Sequence, residues 1–371
     1  LNQDGFLGAV CPYNWMFIKT FSPLREYTIK NMGIYNLMQL NCGGYNKAVV
    51  YLSAFVVGDK KPADGYYIRL TDFKAKNQQE MALKACLSPP NYTYKKNQDV
   101  FLKMPGYAII YWTSDSFINN FRHKKLSDYL DIRQGMATGD NERFLRKVAN
   151  INSNDICFNA QSIEAFDKSN KIYAPYNKGG KYRKWWGNRD YVIKFDKASR
   201  DVLSCQGNRM PSKKFYFKEC ITWTLVSSKG HFGARYSNNS VFDVGGSCAF
   251  LKEGTKINIY VFLAFLCSKV ATYYLNALNP TLNAQVGDIK NIPFIEPSIK
   301  IADEITKLAK ENIEISCLDW YNKGKTGDFD KIKQNEQRIN QIFIEMYSLQ
   351  EELDCQPDDK LITLKGEKNE K

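Results

Sequence analysis

Apolar residues along this chain fall into short blocks whose spacing predicts a mixed fold. Phe6-Leu7-Gly8-Ala9-Val10 is a continuous apolar run ending at Pro12, and it predicts a buried strand over residues 6–12. Phe17, Phe21, Leu24 and Ile29 then recur near helical spacing, which predicts a helix over residues 15–31 with Arg25 and Glu26 facing out. Pro23 inside that pattern requires a kink or a late start. Residues 35–40 and 47–57 read as strands separated by Gly43-Gly44, a hairpin signature. A further strand over 66–70 and a short helix over 78–88 complete a pattern common in the closing half of an α/β sheet.

From about residue 107 to 297 the pattern changes. Short apolar runs at 108–112, 191–195, 221–226, 241–242 and 248–251 alternate with glycine-rich and basic loops, which predicts an irregular α+β domain. The stretch from Tyr260 to Leu278 predicts its one long helix. From about Ser298 the chain reads as helical. There Ile339, Ile342, Phe343, Met346, Leu349 and Leu353 recur at spacings of three and four and mark an amphipathic helix packing on its own domain. The expected division is therefore 1–106, 107–297 and 298–371. The chain opens on Leu1 and enters its first strand almost at once, so we expect a longer protein to continue upstream. The sheet would then present an apolar edge here.

Composition sharpens this picture in two places. The 371 residues are 44% hydrophobic, enough for a substantial core and unlike a disordered chain. Lys269 and Asn276 interrupt the most apolar stretch, so it reads as a buried helix and not a membrane span, and the expected location is the cytoplasm. Ten scattered cysteines with no Cys-x-x-Cys pair argue against both a zinc site and a disulfide scaffold. The formal charge is +13, and it is concentrated: residues 178–235 hold 14 Lys and Arg against 4 Asp and Glu, whereas residues 301–371 hold 11 against 16. The basic block is interleaved with Tyr182, Trp185, Trp186, Tyr191, Phe195, Phe215, Tyr216, Phe217, Trp223, Phe232 and Tyr236. Cations beside rings suit a nucleic-acid surface; a basic face around an aromatic core has the same composition.

Several catalytic classes lack material. His123 and His231 stand far apart with no second ligand at metal-binding spacing. Residues 135–141, Gly-Met-Ala-Thr-Gly-Asp-Asn, have the glycines of a phosphate loop without its Lys-Ser/Thr. No Gly-x-Ser-x-Gly elbow is present.

Five stretches together carry a resemblance. They are Pro12-Tyr13-Asn14-Trp15-Met16-Phe17 with Leu24-Arg25; Gly135 to Asn141 with Arg143-Phe144; Pro175 to Asn188 around Lys-Gly-Gly and Trp-Trp-Gly-Asn; Ile221-Thr222-Trp223 through Arg235-Tyr236; and Asn279 to Asn283 with Gln285 to Ile289. With these, nearly the whole chain resembles the middle of the adenine-specific DNA methyltransferases of BREX phage defence, relatives of type IIG restriction-modification enzymes with a TaqI-like specificity domain. The resemblance implies an α/β and α+β fold: the end of a Rossmann-like catalytic sheet, a target-recognition domain and a helical segment. It implies double-stranded DNA as partner, other defence-system proteins as further partners, and S-adenosylmethionine as cofactor of the whole protein. The family's glycine-rich cofactor loop and Asn-Pro-Pro-Tyr motif are expected before the first strand. Ser88-Pro89-Pro90 is followed by Asn91, with Tyr92 one place late, so it reads as a loop and not as the catalytic tetrapeptide. The chain by itself is therefore expected to hold no cofactor and to be inactive. A protein-interaction scaffold within a defence complex is the competing reading.

On this reading Lys178, Lys181, Arg183 and Lys184 are the phosphate contacts, and Gly179-Gly180 bring backbone N–H groups close. Trp185 and Trp186 are neighbours, and neighbours on a strand face opposite ways, so one is expected to stack on DNA; the alternative buries both at a seam. Asn141, Arg143, Lys229, His231 and Arg235 are secondary candidates, since Arg reads guanine edges and Asn reads adenine edges. Thr138 to Asn141 has the composition of a structural turn as well.

Overall fold

The computed structural model describes residues 1–43, 48–226, 231–279, 283–322 and 327–364. The chain divides into two compact units. One comprises residues 1–122 with 277–279; the other comprises 123–276 with 280–371. The first of these units extends to residue 122, and the C-terminal helices lie in the same unit as most of the α+β region.

The first unit is built on strands β1 (Phe6–Pro12), β2 (Gly33–Leu40), β3 (Leu52–Gly58), β4 (Gly65–Arg69) and β5 (Thr93–Lys96). Their order in the sheet is β1-β3-β2-β4-β5, antiparallel except for the parallel pair β2–β4. β1 was expected to be buried, but it pairs only with β3 at the sheet's edge, and Phe6, Leu7 and Val10 are exposed. Gly43-Gly44 leads from β2 toward its antiparallel neighbour β3, with Gly44 outside the described residues. The predicted helix 15–31 starts late, as Pro23 requires: 3-10 turns cover 13–16 and 19–21, and the α-helix runs Ser22–Asn31 with proline in its first turn.

Arg25 organises this crossover and does not face out. Its side chain is fully buried and donates to the carbonyls of Trp15 (2.6 Å), Ile18 (2.9 Å), Phe17 (3.4 Å) and Gly106 (2.6 and 2.9 Å), and to Ser22 Oγ (3.1 Å). No carboxylate pairs with it among the described residues. Burial pushes its pKa down to about 10, which leaves it charged at neutral pH. Ser88-Pro89-Pro90 follows the helix Gln78–Leu87, and Tyr92 turns inward: its ring meets Phe73 edge-on and its hydroxyl donates to Met81 O at 2.9 Å. That tyrosine is structural.

The second unit contains β6 (Leu130–Arg133), β7 (Leu145–Lys147), β8 (Tyr173–Asn177), β9 (Tyr191–Lys194), β10 (Cys220–Trp223), β11 (Ala234–Ser237), β12 (Val241–Phe242) and β13 (Cys248–Leu251). They form two four-stranded sheets, β11-β10-β13-β6 and β12-β8-β9-β7, with only β12–β8 parallel. The apolar run at 108–112 belongs to the first unit and is not a strand. The apolar stretch 260–278 is two helices, Ile259–Cys267 and Lys269–Leu278, bent by 67° at a one-residue break, and not one helix. No single helix among the described residues is long and apolar enough to cross a membrane. The C-terminal helices run Ile299–Tyr321 and Phe329–Tyr347. Ile339, Ile342 and Phe343 are buried, as their spacing predicts. Leu349 is buried in the turn that follows.

Candidate nucleic-acid interface

The basic, aromatic segment 178–188 was expected to lie outside, and most of it lies inside. Lys184 is 8% exposed, Trp185 1%, Trp186 8% and Arg235 1%. Lys184 Nζ meets Glu336 Oε2 at 2.7 Å, and Trp185 Nε1 donates to Glu336 Oε1 at 2.8 Å; Glu336 is itself 3% exposed. Burial disfavours the Lys184 ammonium, but the carboxylate beside it holds its pKa above the ordinary lysine range. The Lys184 backbone N–H donates to Thr363 Oγ1 at 3.0 Å. This stretch is thus a plug between the sheet region and the C-terminal helices of its own unit.

The strand argument for the two tryptophans fails for a local reason. Trp185 has φ 67°, a left-handed conformation, so the alternation of an extended strand does not apply and both rings turn inward. Trp186 stacks on Tyr236 (centroids 6.1 Å) with the Arg189 guanidinium over its face at 4.4 Å. Both indoles are buried, the alternative that the sequence left open.

Other candidates are engaged too. Lys178 Nζ pairs with Asp243 Oδ2 at 2.7 Å, and the same carboxylate accepts from Tyr176 Oη at 2.8 Å. Gly179 is buried, and a Cβ there would lie 2.4 Å from Gly245 O, so its missing side chain lets two protein segments approach each other. The half-buried Arg183 guanidinium lies 4.9 Å above Trp320 and donates to Thr363 O at 3.3 Å; burial lowers its pKa. Among the described residues Arg235 donates only to Thr224 Oγ1, at 3.4 Å, and its Nε has no partner; burial pushes its pKa down to about 10. His231 is half-buried with its ring against Tyr182. Lys229 lies outside the described residues. Gly180, Lys181, Asn141 and Arg143 are exposed. The aromatics Phe195, Phe215, Tyr216 and Phe217 form the core of this unit, the second of the two arrangements that the composition allowed.

What the structure brings together at the surface is a pair of loops, 134–143 and 205–214. Asn208 Nδ2 donates to Gly135 O (2.9 Å) and its Oδ1 accepts from Ala137 N (2.8 Å). Gln206 Nε2 donates to Thr138 O (2.5 Å), and Ser212 Oγ to Gln134 O (3.3 Å). Thr138 donates to Asn141 Oδ1 at 2.7 Å, and Asp140 caps the short helix Asn141–Phe144 through Arg143 N at 3.0 Å. The turn reading of 138–141 therefore describes its backbone, while the Asn141 and Arg143 side chains face solvent. Gly207 has φ 57° and a Cβ there would lie 1.9 Å from Ala137 O. Gly207→Ala is expected to cost about 1–3 kcal/mol, read as a lower melting temperature and faster proteolysis within 205–214. The sequence reading missed this second loop. Its only local signal is Gly207-Asn208 next to Pro211, which marks a turn but not what the turn packs on.

At the turn after β1, Pro12-Tyr13-Asn14-Trp15, no glycine opens space, and Trp15 is buried with its Nε1 donating to Ser53 Oγ at 2.9 Å.

No family model matches the chain. The adenine-specific methyltransferase PglX of Lacticaseibacillus casei (strain Zhang) is 30% identical to it, over 98% of this chain and 34% of that protein. The adenine-specific methyltransferase BrxX of Escherichia coli O9:H4 (strain HS) is 30% identical over 92% of this chain and 27% of that protein. Over nearly its whole length the chain is similar to these adenine-specific methyltransferases. It spans about a third of the length of the curated relatives it matches. In fold it is similar to the type IIL restriction-modification enzyme MmeI, whose structure is a complex with DNA. The TM-score is 0.58 at 11% identity, over 94% of this chain and 47% of that one. The mixed α+β architecture is common to both.

Proposed function

We propose that this chain is the DNA target-recognition portion, preceded by the end of the catalytic domain, of an adenine-specific, S-adenosylmethionine-dependent DNA methyltransferase in a phage-defence or restriction-modification system. The observation that carries this reading is the homology to PglX and BrxX, which extends over almost the whole chain. The DNA complex of the MmeI fold supports it. The chemistry agrees: the net charge is +13, and Lys181 and Arg143 are exposed cations with no carboxylate partner among the described residues. Exposed cations without a carboxylate partner can exchange counterions for phosphates, whereas Lys178 and Lys184 already hold carboxylates.

The test is duplex binding followed across salt concentration. Each phosphate contact contributes a slope of about 0.9 in log K against log salt, so Lys181→Ala with Arg143→Ala is expected to flatten the slope by about 1.8 and to weaken binding roughly tenfold at moderate salt. A chain that binds no duplex at low salt, or a double variant with an unchanged slope, overturns the reading. Binding to an acidic protein that duplex DNA fails to compete away would favour a scaffold instead.

A further inference from the structure

The loop 205–214 holds an unusual density of left-handed backbone. Arg209 (φ 58°), Met210 (φ 52°) and Ser212 (φ 65°) all lie there beside Gly207. L-residues with side chains enter that region at a cost, and such a conformation persists only where its surroundings over-determine it. The surroundings here do so. Met210 is buried, Asn208 and Gln206 are hydrogen-bonded to the backbone of 135–138, and Ser212 is tied to Gln134. The strain is therefore spent on fixing one geometry at the surface. At its tip is Arg209, which is exposed; its side chain has no hydrogen bond, ion pair or ring contact among the described residues. By contrast Lys213 donates to Ser204 Oγ and Lys214 lies over Phe215, while Arg200 is paired with Asp167.

We propose that Arg209 is a specificity-determining residue that reads a guanine in the major groove, presented by the fused loops 134–143 and 205–214 as one rigid edge. This deepens the DNA-recognition reading above and rests on it. The chemistry is the match between a planar guanidinium and the O6 and N7 acceptors of guanine, which needs two aligned donors and so a fixed approach. A phosphate contact carries no sequence information and tolerates a flexible cation, so it gives no reason to retain strained backbone at this point. Lys181 is exposed in a separate segment and has the properties of the phosphate-type contact.

The experiment selects duplexes from a pool with a randomised central segment, using the full chain, Arg209→Lys, Arg209→Ala and Lys181→Ala. The wild type is expected to enrich a sequence with at least one fixed guanine. Arg209→Lys keeps the charge, so it is expected to bind the unselected pool within about twofold but to lose roughly tenfold or more of the discrimination at that guanine, as Arg209→Ala does too. Lys181→Ala is expected to weaken binding to every sequence and to keep the preference. Melting temperatures of the Arg209 variants should equal the wild type, because the side chain makes no hydrogen bond, ion pair or ring contact among the described residues. Duplex binding with no enriched guanine, or an Arg209→Lys variant with an unchanged preference, overturns the assignment while the DNA-recognition reading stands. Failure of the wild type to bind any duplex overturns both.

Discussion

Glu336→Ala is expected to destabilise the second unit by about 3–5 kcal/mol, because it strands a buried ammonium. Glu336 is the only carboxylate that an ion pair places on Lys184 among the described residues, and it also accepts from the indole of Trp185. The 2.7 Å contact lies where water cannot replace it, since Lys184 and Glu336 are 8% and 3% exposed. Lys184→Met should cost a similar amount by leaving the carboxylate with the indole alone. The double variant Lys184→Met with Glu336→Met removes both charges and is expected to recover most of the loss, since apolar residues of similar volume often replace a buried pair at little cost. A double-mutant cycle in urea reads the coupling, expected at about 2 kcal/mol or more; additive losses would mean that the two side chains act independently. The pH dependence has a definite sign. The folded pKa of Lys184 is raised above the unfolded one, so its contribution is complete below the unfolded lysine value of about 10.4 and fades as pH rises through the higher folded value. The wild type should therefore lose stability above about pH 10 by this route, and the double Met variant should not. A DNA-binding role for Lys184 would instead predict a normal fold with weakened DNA affinity.

Arg25→Ala is expected to be comparably damaging to the first unit, at about 3–5 kcal/mol, although no ion pair is broken. The guanidinium satisfies carbonyls of Trp15, Phe17, Ile18 and Gly106, which belong to the irregular turns before its helix and to a distant loop. Removing it takes this donor from the buried carbonyl of Trp15 and the part-buried carbonyls of Phe17 and Gly106, and leaves a cavity the size of the side chain. Arg25→Lys should recover less than half, because a point-like ammonium cannot reach acceptors spread around a planar fork. The check is the midpoint of urea unfolding together with protease sensitivity within 13–21. A loss below about 1 kcal/mol would show that the turns hold without it.

Both residues invert what their type suggests. Arg25 sits at a helical position whose neighbours in the pattern point outward, and Lys184 sits in the most cationic segment of the chain, yet both are interior. The information that decides this is not local. Arg25 needs Gly106 O, 81 positions away, and Lys184 needs Glu336, 152 positions away. Glu336 gives itself away only by lying on the buried stripe of the helix Phe329–Tyr347, one turn from Ile332 and Ile339. Trp185 was misplaced for a different reason. Its left-handed backbone removes the alternation on which any strand argument depends.

The sequence alone determined the elements whose code is short-range. Proline in a first turn set the late start of the helix Ser22–Asn31, short apolar runs marked many of the strands, and three-four spacing marked the buried face of the helix Phe329–Tyr347. It also determined the kinship, since the motifs that resemble adenine methyltransferases lie in segments that align with PglX and BrxX. Tertiary structure decided which charges face water. A cation's burial depends on whether a carboxylate or a set of carbonyls arrives from elsewhere in the chain, and composition within a window does not record that. For the same reason the sequence marked Asn141 and Arg143 but passed over Arg209. What distinguishes Arg209 is a backbone held left-handed by hydrogen bonds from a loop some 70 positions away, and that exists only once the chain is folded.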